Sequence, residues 1–193
     1  MNINIYNIVK TTKVLGPGIR YAIWFQGCKR NCKGCLAPDS RRFDKKNPVE
    51  ITTIITDIKN TPEIVGVTIS GGEPFEQKDS LFKLLVEIKK LNLNTIVYTG
   101  YSLEYLAKKE ENIKILQLID LVIDGEYIEE LDNNQPLRGS ENQSLYYFSP
   151  VGEEMAKSIE SLKEREIEIE ISNENIFFTG IPNDKHKKSF SII

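Results

Sequence analysis

No fourth cysteine joins Cys28, Cys32 and Cys35, and His186 is the single histidine in the 193 residues. An odd, clustered set of thiols argues against a disulfide scaffold. No apolar run approaches the ~18 residues of a membrane span, so no membrane partner is expected. The opening stretch MNINIYNIVKTTK lacks a charged segment followed by an apolar one. It reads as a first strand rather than a signal peptide, and with the odd, clustered thiols the expected compartment is the reducing cytoplasm. A net charge of -3 and a pI near 5.4 give no case for a nucleic-acid partner. Internal repeats, low-complexity tracts and Pro/Gly/Ser linkers are also absent, which predicts one domain. What is present, 40% hydrophobic and 27% charged residues, is the make-up of a soluble globular chain able to bury a core.

Along the chain, YAIWFQG (21–27) reads as a buried strand running into the cysteine loop. Asn47, Pro48 and Glu50 look like a cap, a first-turn proline and a capping-box acid opening a helix over 48–60. GVTISGG (66–72) is a strand ending in a Gly-Gly turn. Leu81, Leu84, Leu85 and Ile88 recur at helical spacing and predict a helix over 78–91. NTIVYTG (94–100) and LVIDG (121–125) read as further strands, and Ser102 as the cap of a short helix between them. Strands alternating with helices predict βαβ units and a parallel sheet. The stretches CKRNCKGC, SGGEP, YTGY and VIDGEY each follow the C-terminal end of a strand, where α/β folds bind ligands. Beyond about residue 145 the pattern predicts a helix over 151–165, then a hairpin from EIEIEI (166–171) and IFFTG (176–180) turning at Asn173 to Asn175, with one solvated face. DKHKKSF (184–190) reads as a solvated tail.

Four chemistries use clustered thiols. Structural zinc wants four ligands, and His186 lies far away in the sequence. Cys32-Lys-Gly-Cys35 resembles a redox pair, but that leaves Cys28 without a purpose. Incidental buried thiols do not suit a loop rich in Lys and Arg. A cubane iron–sulfur cluster normally takes four thiolates, and three would leave one iron open to a substrate or cofactor.

C-x3-C-x2-C after an apolar strand, with Gly-Gly-Glu-Pro at the end of the next, resembles the radical S-adenosylmethionine superfamily. That resemblance implies a partial (β/α) barrel, over residues 1–145, with residues 146–193 as a helix and β-hairpin extension packed on the same domain. It implies that Cys28, Cys32 and Cys35 hold a [4Fe-4S] cluster whose fourth iron is chelated by S-adenosyl-L-methionine. Reductive cleavage would give methionine and a hydrogen-abstracting 5'-deoxyadenosyl radical, so no side chain is expected as acid or base. Gly71, Gly72 and Glu73 would approach the methionine moiety, the glycines by clearing space and Glu73 by meeting its ammonium. Gly34, Leu36, Ser70 and Thr99 are expected around the same cofactor. Asp124 and Arg138 stand open between cofactor contacts and a structural ion pair.

The finer resemblance is to activating enzymes of glycyl radical enzymes, above all those acting on anaerobic ribonucleotide reductase. It is carried by Gly16-Pro17-Gly18-Ile19-Arg20, Ile69 to Pro74, Tyr98 to Tyr101, Leu121 to Gly125 and Arg138 to Gln143. It implies a protein substrate that receives a glycyl radical, and a flavodoxin or ferredoxin electron donor attracted by Lys29, Arg30 and Lys33. Three departures stand out: Leu36-Ala37-Pro38 in place of Tyr-Asn, Glu126 where lysine is common, and the residues after 145. They leave room for a radical enzyme acting on another peptide or protein. A non-catalytic iron–sulfur electron-transfer protein is the reading from a different class. Trp24 and Phe25 are expected to be core.

Overall fold

A computed structural model describes residues 1–171 and 176–190 of the chain. Strand β1 (Asn2–Thr12) and β2 (Arg20–Phe25) precede a short strand β3 (Pro48–Glu50) and helix α1 (Ile51–Lys59). Then β4 (Gly66–Gly71), α2 (Lys78–Lys89), β5 (Asn94–Tyr98), the short α3 (Leu103–Leu106), α4 (Glu110–Leu116) and β6 (Leu121–Asp124) alternate. Strand β7 (Ser144–Tyr147), α5 (Pro150–Glu160), the hairpin β8 (Ile167–Ile171) and β9 (Ile176–Gly180), and α6 (Asp184–Phe190) follow.

The main sheet runs β3-β1-β2-β4-β5-β6-β7. Strands β2, β4, β5 and β6 are parallel neighbours in chain order, flanked by antiparallel β1, β3 and β7. The result is a mixed α/β fold around a mostly parallel sheet. Helices are needed on its faces because all six residues of β2 and all four of β6 are buried. One face takes α1 through Ile51, Ile54 and Ile58, α2 through Leu81, Leu84, Leu85 and Ile88, and α4 through Ile115 and Leu116. On the other, Ile96, Leu121 and Ile123 pack with Met155 and Ile159 of α5.

Several expectations need correction. Pro48 and Glu50 belong to an edge strand paired with β1, where a proline's missing N–H is tolerated, so the helix begins only at Ile51. No side chain caps it: the Asn47 N–H instead donates to Asn4 Oδ1. The helix expected to reach residue 165 stops at Glu160, capped at its start by Ser149 Oγ accepting from the Gly152 N–H. DKHKKSF is a helix, held by Lys187 against Asp132 at 2.7 Å. Helix α4 and strand β7 were not expected. In the hairpin the apolar alternation does not mark a buried face: Ile169, Ile171, Ile176 and Phe178 are exposed. The expected turn at Asn173 to Asn175 lies outside the described residues. Ser102 does cap α3, its Oγ accepting from the Tyr105 N–H.

Two buried arginines close the ends of this framework. Arg20, fully buried at the starts of the parallel strands, donates from Nε to Thr68 Oγ1 (2.6 Å), from Nη1 to Asn94 Oδ1 (2.7 Å) and from Nη2 to the Val67 carbonyl (3.0 Å). Burial holds its guanidinium down at about 10. Arg165 joins the C-terminal segment to the loop after β6. It contacts Asp132 Oδ1 at 2.8 Å and donates to the carbonyls of Gln135, Arg138, Gly139 and Pro182. Replacing Arg165 by alanine leaves Asp132 and those carbonyls short of a donor, so Arg165→Ala should cost about 3–5 kcal/mol in urea denaturation. Limited proteolysis of the variant should cut first beyond α5; wild-type stability would show that the anchor is dispensable.

Candidate functional site

The C-terminal ends of β2, β4, β5 and β6 converge on one cavity. Its lining includes Cys28, Cys32, Cys35 and Leu36 from the loop after β2, Ser70 to Glu73 after β4, Tyr98 to Gly100 at the end of β5, and Gly125 and Tyr127 after β6. Parallel strands splay their loops at that end, so four separate sequence stretches meet there.

The Gly-Gly-Glu turn is built by packing against the thiol loop. Gly71 has φ +107°, and a Cβ there would lie 2.3 Å from Phe25 N; one on Gly72 would lie 2.4 Å from the Gly27 carbonyl oxygen. The Gly72 N–H donates to the Phe25 carbonyl (2.8 Å) and the Glu73 N–H to that of Gly27 (2.9 Å). The glycines line the cavity, but their missing side chains make room for protein backbone rather than for a ligand.

Glu73 is fully buried. Its Oε1 accepts from the Phe75 N–H (3.0 Å) and Thr99 Oγ1 (2.9 Å), and its Oε2 from the Gly100 N–H (2.7 Å). The carboxylate thus ties the turn after β4 to the turn after β5. A carboxylate has about four acceptor positions, so roughly one is left for a further donor such as an ammonium. Burial pushes this carboxyl up to about 7 in spite of its three donors.

The loop's cations pair with acids from the loops after β4 and β6. Lys29 meets Glu76 at 2.6 Å, Arg30 meets Glu126 at 2.5 Å and Lys33 meets Glu130 at 2.8 Å. Arg30 also lies over the Tyr101 ring, 5.4 Å from its centroid. Each of the three cations thus has an acid partner while Lys29 and Lys33 stay largely exposed, and Glu126, itself at the surface, is the partner of Arg30.

Other expected residues take structural places. Asp124 accepts from the Leu103 N–H (2.6 Å) through Oδ2 and from the Ser144 N–H (3.3 Å) through Oδ1, off the cavity lining. Arg138 donates to the Gln143 carbonyl at 3.0 Å, and also lies off it. Asp124 and Arg138 therefore do not pair with each other. Gly34 is exposed with φ +67°, and its Cβ would face the Glu129 carboxylate. The residues of the Arg138-to-Gln143 motif that do reach the cavity are Gly139 and Gln143. Gln143 Oε1 accepts from the Gly139 N–H (2.7 Å) while its Nε2 donates to the Gly125 carbonyl (2.8 Å). Its neutral amide drew less notice in the sequence than the neighbouring Arg138. Tyr98 was also missed: it lines the cavity, and its hydroxyl is buried with no hydrogen-bond partner. Trp24, expected as plain core, lines the cavity too, as do Phe177 and Phe178 from the C-terminal hairpin.

The donor set suits a multi-metal cluster. Cys28, Cys32 and Cys35 are all partly exposed toward one cavity and unpaired with one another. Among the described residues, no three or more His, Cys, Asp or Glu side chains converge to hold a metal ion. A cubane places each thiolate on its own iron, so convergence on one point is not needed. Burial, with Glu73 and the other two thiols nearby, pushes the Cys28 thiol up to about 11. A stable thiolate at Cys28 needs added positive charge, which bound metal supplies.

A family model described as "4Fe-4S single cluster domain" matches residues 14–146. The chain is 32% identical over 149 residues to the anaerobic ribonucleoside-triphosphate reductase-activating protein of Pasteurella multocida (strain Pm70), covering 72% of this chain and 94% of that one. Identity to the protein of the same name in Escherichia coli (strain K12) is 28% over 144 residues, 70% of this chain and 92% of that one. The pyruvate formate-lyase-activating enzyme of Staphylococcus aureus (strain USA300) is 27% identical over 156 residues, 76% of this chain and 61% of that one.

The raised carboxyl of Glu73 has a measurable consequence in protein without cofactor. Between the ordinary value of 4.5 and about 7, the folded state keeps a proton that the unfolded state has released. Stability should therefore fall as pH rises through that window and level off above it. In Glu73→Gln this part of the slope should vanish, read as urea midpoints across the range. An identical slope in both proteins would assign it to other groups.

Proposed function

The chain belongs to the radical S-adenosylmethionine activases with a single 4Fe-4S cluster, and from that membership we propose that it activates anaerobic ribonucleoside-triphosphate reductase by forming a glycyl radical. When bound, the [4Fe-4S] cluster and S-adenosyl-L-methionine supply a reductive cleavage to methionine and a 5'-deoxyadenosyl radical able to abstract hydrogen from a glycine Cα. The observation that carries the reading is three thiols, with no fourth in the chain, at the same cavity as a buried carboxylate with acceptor capacity left.

On this reading Cys28, Cys32 and Cys35 hold the cluster. Glu73 accepts from the cofactor's ammonium, and the positive charge beside it keeps the carboxyl ionised. Ser70, Thr99 and Leu36 border the bound cofactor. Gly71 and Gly72 bring their backbone to the cavity wall beside it, Asp124 and Arg138 position loops, and Gly34 shapes the thiol loop. The residues' work is to bind, orient and exclude water; none is needed to move a proton.

Parallel strands added in chain order, with α1, α2 and α4 on one face, support a partial (β/α) barrel of radical S-adenosylmethionine type. Residues 1–145 are then its core and 146–193 an extension packed on the same domain. Among the described residues no helix is long and apolar enough to cross a membrane. We place the protein in the cytoplasm, where thiols stay reduced. Its electron comes from a flavodoxin or ferredoxin, with Lys29 and Lys33 of the thiol loop still largely exposed beside their acid partners. One observation favours another protein substrate: the cavity borrows residues from beyond the family match.

The test is anaerobic. Reconstituted, reduced wild-type protein should convert S-adenosyl-L-methionine to methionine and 5'-deoxyadenosine, and Cys32→Ala should lose more than about 100-fold, beyond the usual cost of an outer-shell partner. A glycyl radical signal should then appear on added anaerobic reductase. A cluster that assembles yet gives neither product, even with the reductase present, would leave an electron-transfer protein as the better reading.

A further inference from the structure

We propose that the β8–β9 hairpin is a size-selective wall of the thiol cavity, with Phe177 the residue that restricts entry to a narrow, extended strand of the protein substrate. The nature of that strand rests on the activase reading; the wall itself does not.

The hairpin comes from beyond residue 146, where the family match ends, yet Phe177, Phe178, Gly180 and Ile181 line the same cavity as the three thiols. Phe177 meets Trp24 of β2 edge to face, with ring centroids 6.0 Å apart and planes at 86°. Trp24 is only 9% exposed, so this contact seals the side of the cavity at β2. The hairpin is fixed at both margins. The Lys13 N–H donates to Glu168 Oε1 at 2.9 Å, and Arg165 holds its base through Asp132 and the Pro182 carbonyl. Gly180 has φ +107°, and a Cβ there would lie 2.6 Å from the Glu166 carbonyl oxygen, so the hairpin's end admits no side chain at that residue.

Leu36, Ala37 and Pro38 of the thiol loop also line the cavity. Beside a bound cofactor, these apolar groups from the hairpin and the thiol loop disfavour a bulky, hydrated or charged side chain on an approaching peptide and suit a backbone bearing small side chains. Glycine is the smallest such residue, and a hydrogen donor on its Cα needs close approach.

Reconstituted holoenzyme tests the wall through iron loss to two diimine chelators of different bulk, 2,2'-bipyridine and bathophenanthroline disulfonate. Wild type should lose iron preferentially to the smaller reagent, and Phe177→Ala should narrow that preference at least about fivefold while its melting transition stays close to wild type, as for an opening confined to one region. An unchanged ratio in a folded variant would overturn the wall. If Phe177→Ala does not fold, wild-type hydrogen exchange decides. Amides of residues 176–180 should slow when S-adenosyl-L-methionine is added, and unchanged exchange counts against the wall. Should wild type assemble no cluster, the activase reading falls. Labelling of Cys28, Cys32 and Cys35 by N-ethylmaleimide against fluorescein maleimide then reads the same size preference, and its absence overturns the wall.

Discussion

The buried carboxylate of Glu73 is the constraint around which the site is arranged. An acceptor with no donor of its own cannot stay in the interior unless neighbouring N–H and O–H groups turn toward it. Phe75, Thr99 and Gly100 do so, and in doing so join the turn after β4 to the turn after β5. The Gly72 and Glu73 amides meanwhile bond the first of these turns to the thiol loop. One residue thus couples the places where three parallel strands end. Burial raises its carboxyl in spite of three donors, and perturbed carboxyls of this kind cluster at functional sites.

The thiol loop is held differently, by charge. Lys29, Arg30 and Lys33 reach to Glu76, Glu126 and Glu130, which lie after β4 and after β6. Such exposed pairs contribute little each to stability. Their value is geometric, since three of them from one loop to two others restrict where the thiols can point. The consequence is a cluster loop without surplus positive charge, although its sequence is conspicuously basic.

The face of the sheet opposite α1, α2 and α4 would expose apolar strands if nothing covered it. Helix α5 covers Ile96, Leu121 and Ile123, and the hairpin covers Trp24. Arg165 makes this attachment firm because its guanidinium reaches a buried acid and four carbonyls at once. A segment outside the family match is thereby part of the cavity's enclosure.

What the sequence alone determined is the chemistry and the order of the parts. Three thiols without a fourth, and turn motifs each placed after an apolar β-branched run, state the donor set and the strand ends, because both depend on residue type and local periodicity. Helix α2 and the cap at Ser102 were legible for the same reason. Only tertiary structure decided which motif residues face the cavity. Asp124 and Arg138 carry charge and so drew attention, yet each satisfies backbone groups, while the neutral Gln143 and Tyr98 reach the site. Pro48 and Glu50 imitated a helix start because an edge strand tolerates the same residues. The EIEIEI alternation was read correctly as a strand, but which face it buries depends on what lies opposite, and Trp24 lies opposite Phe177. Local sequence encodes conformation and chemistry; facing partners more than a hundred residues apart are set only when the chain closes on itself.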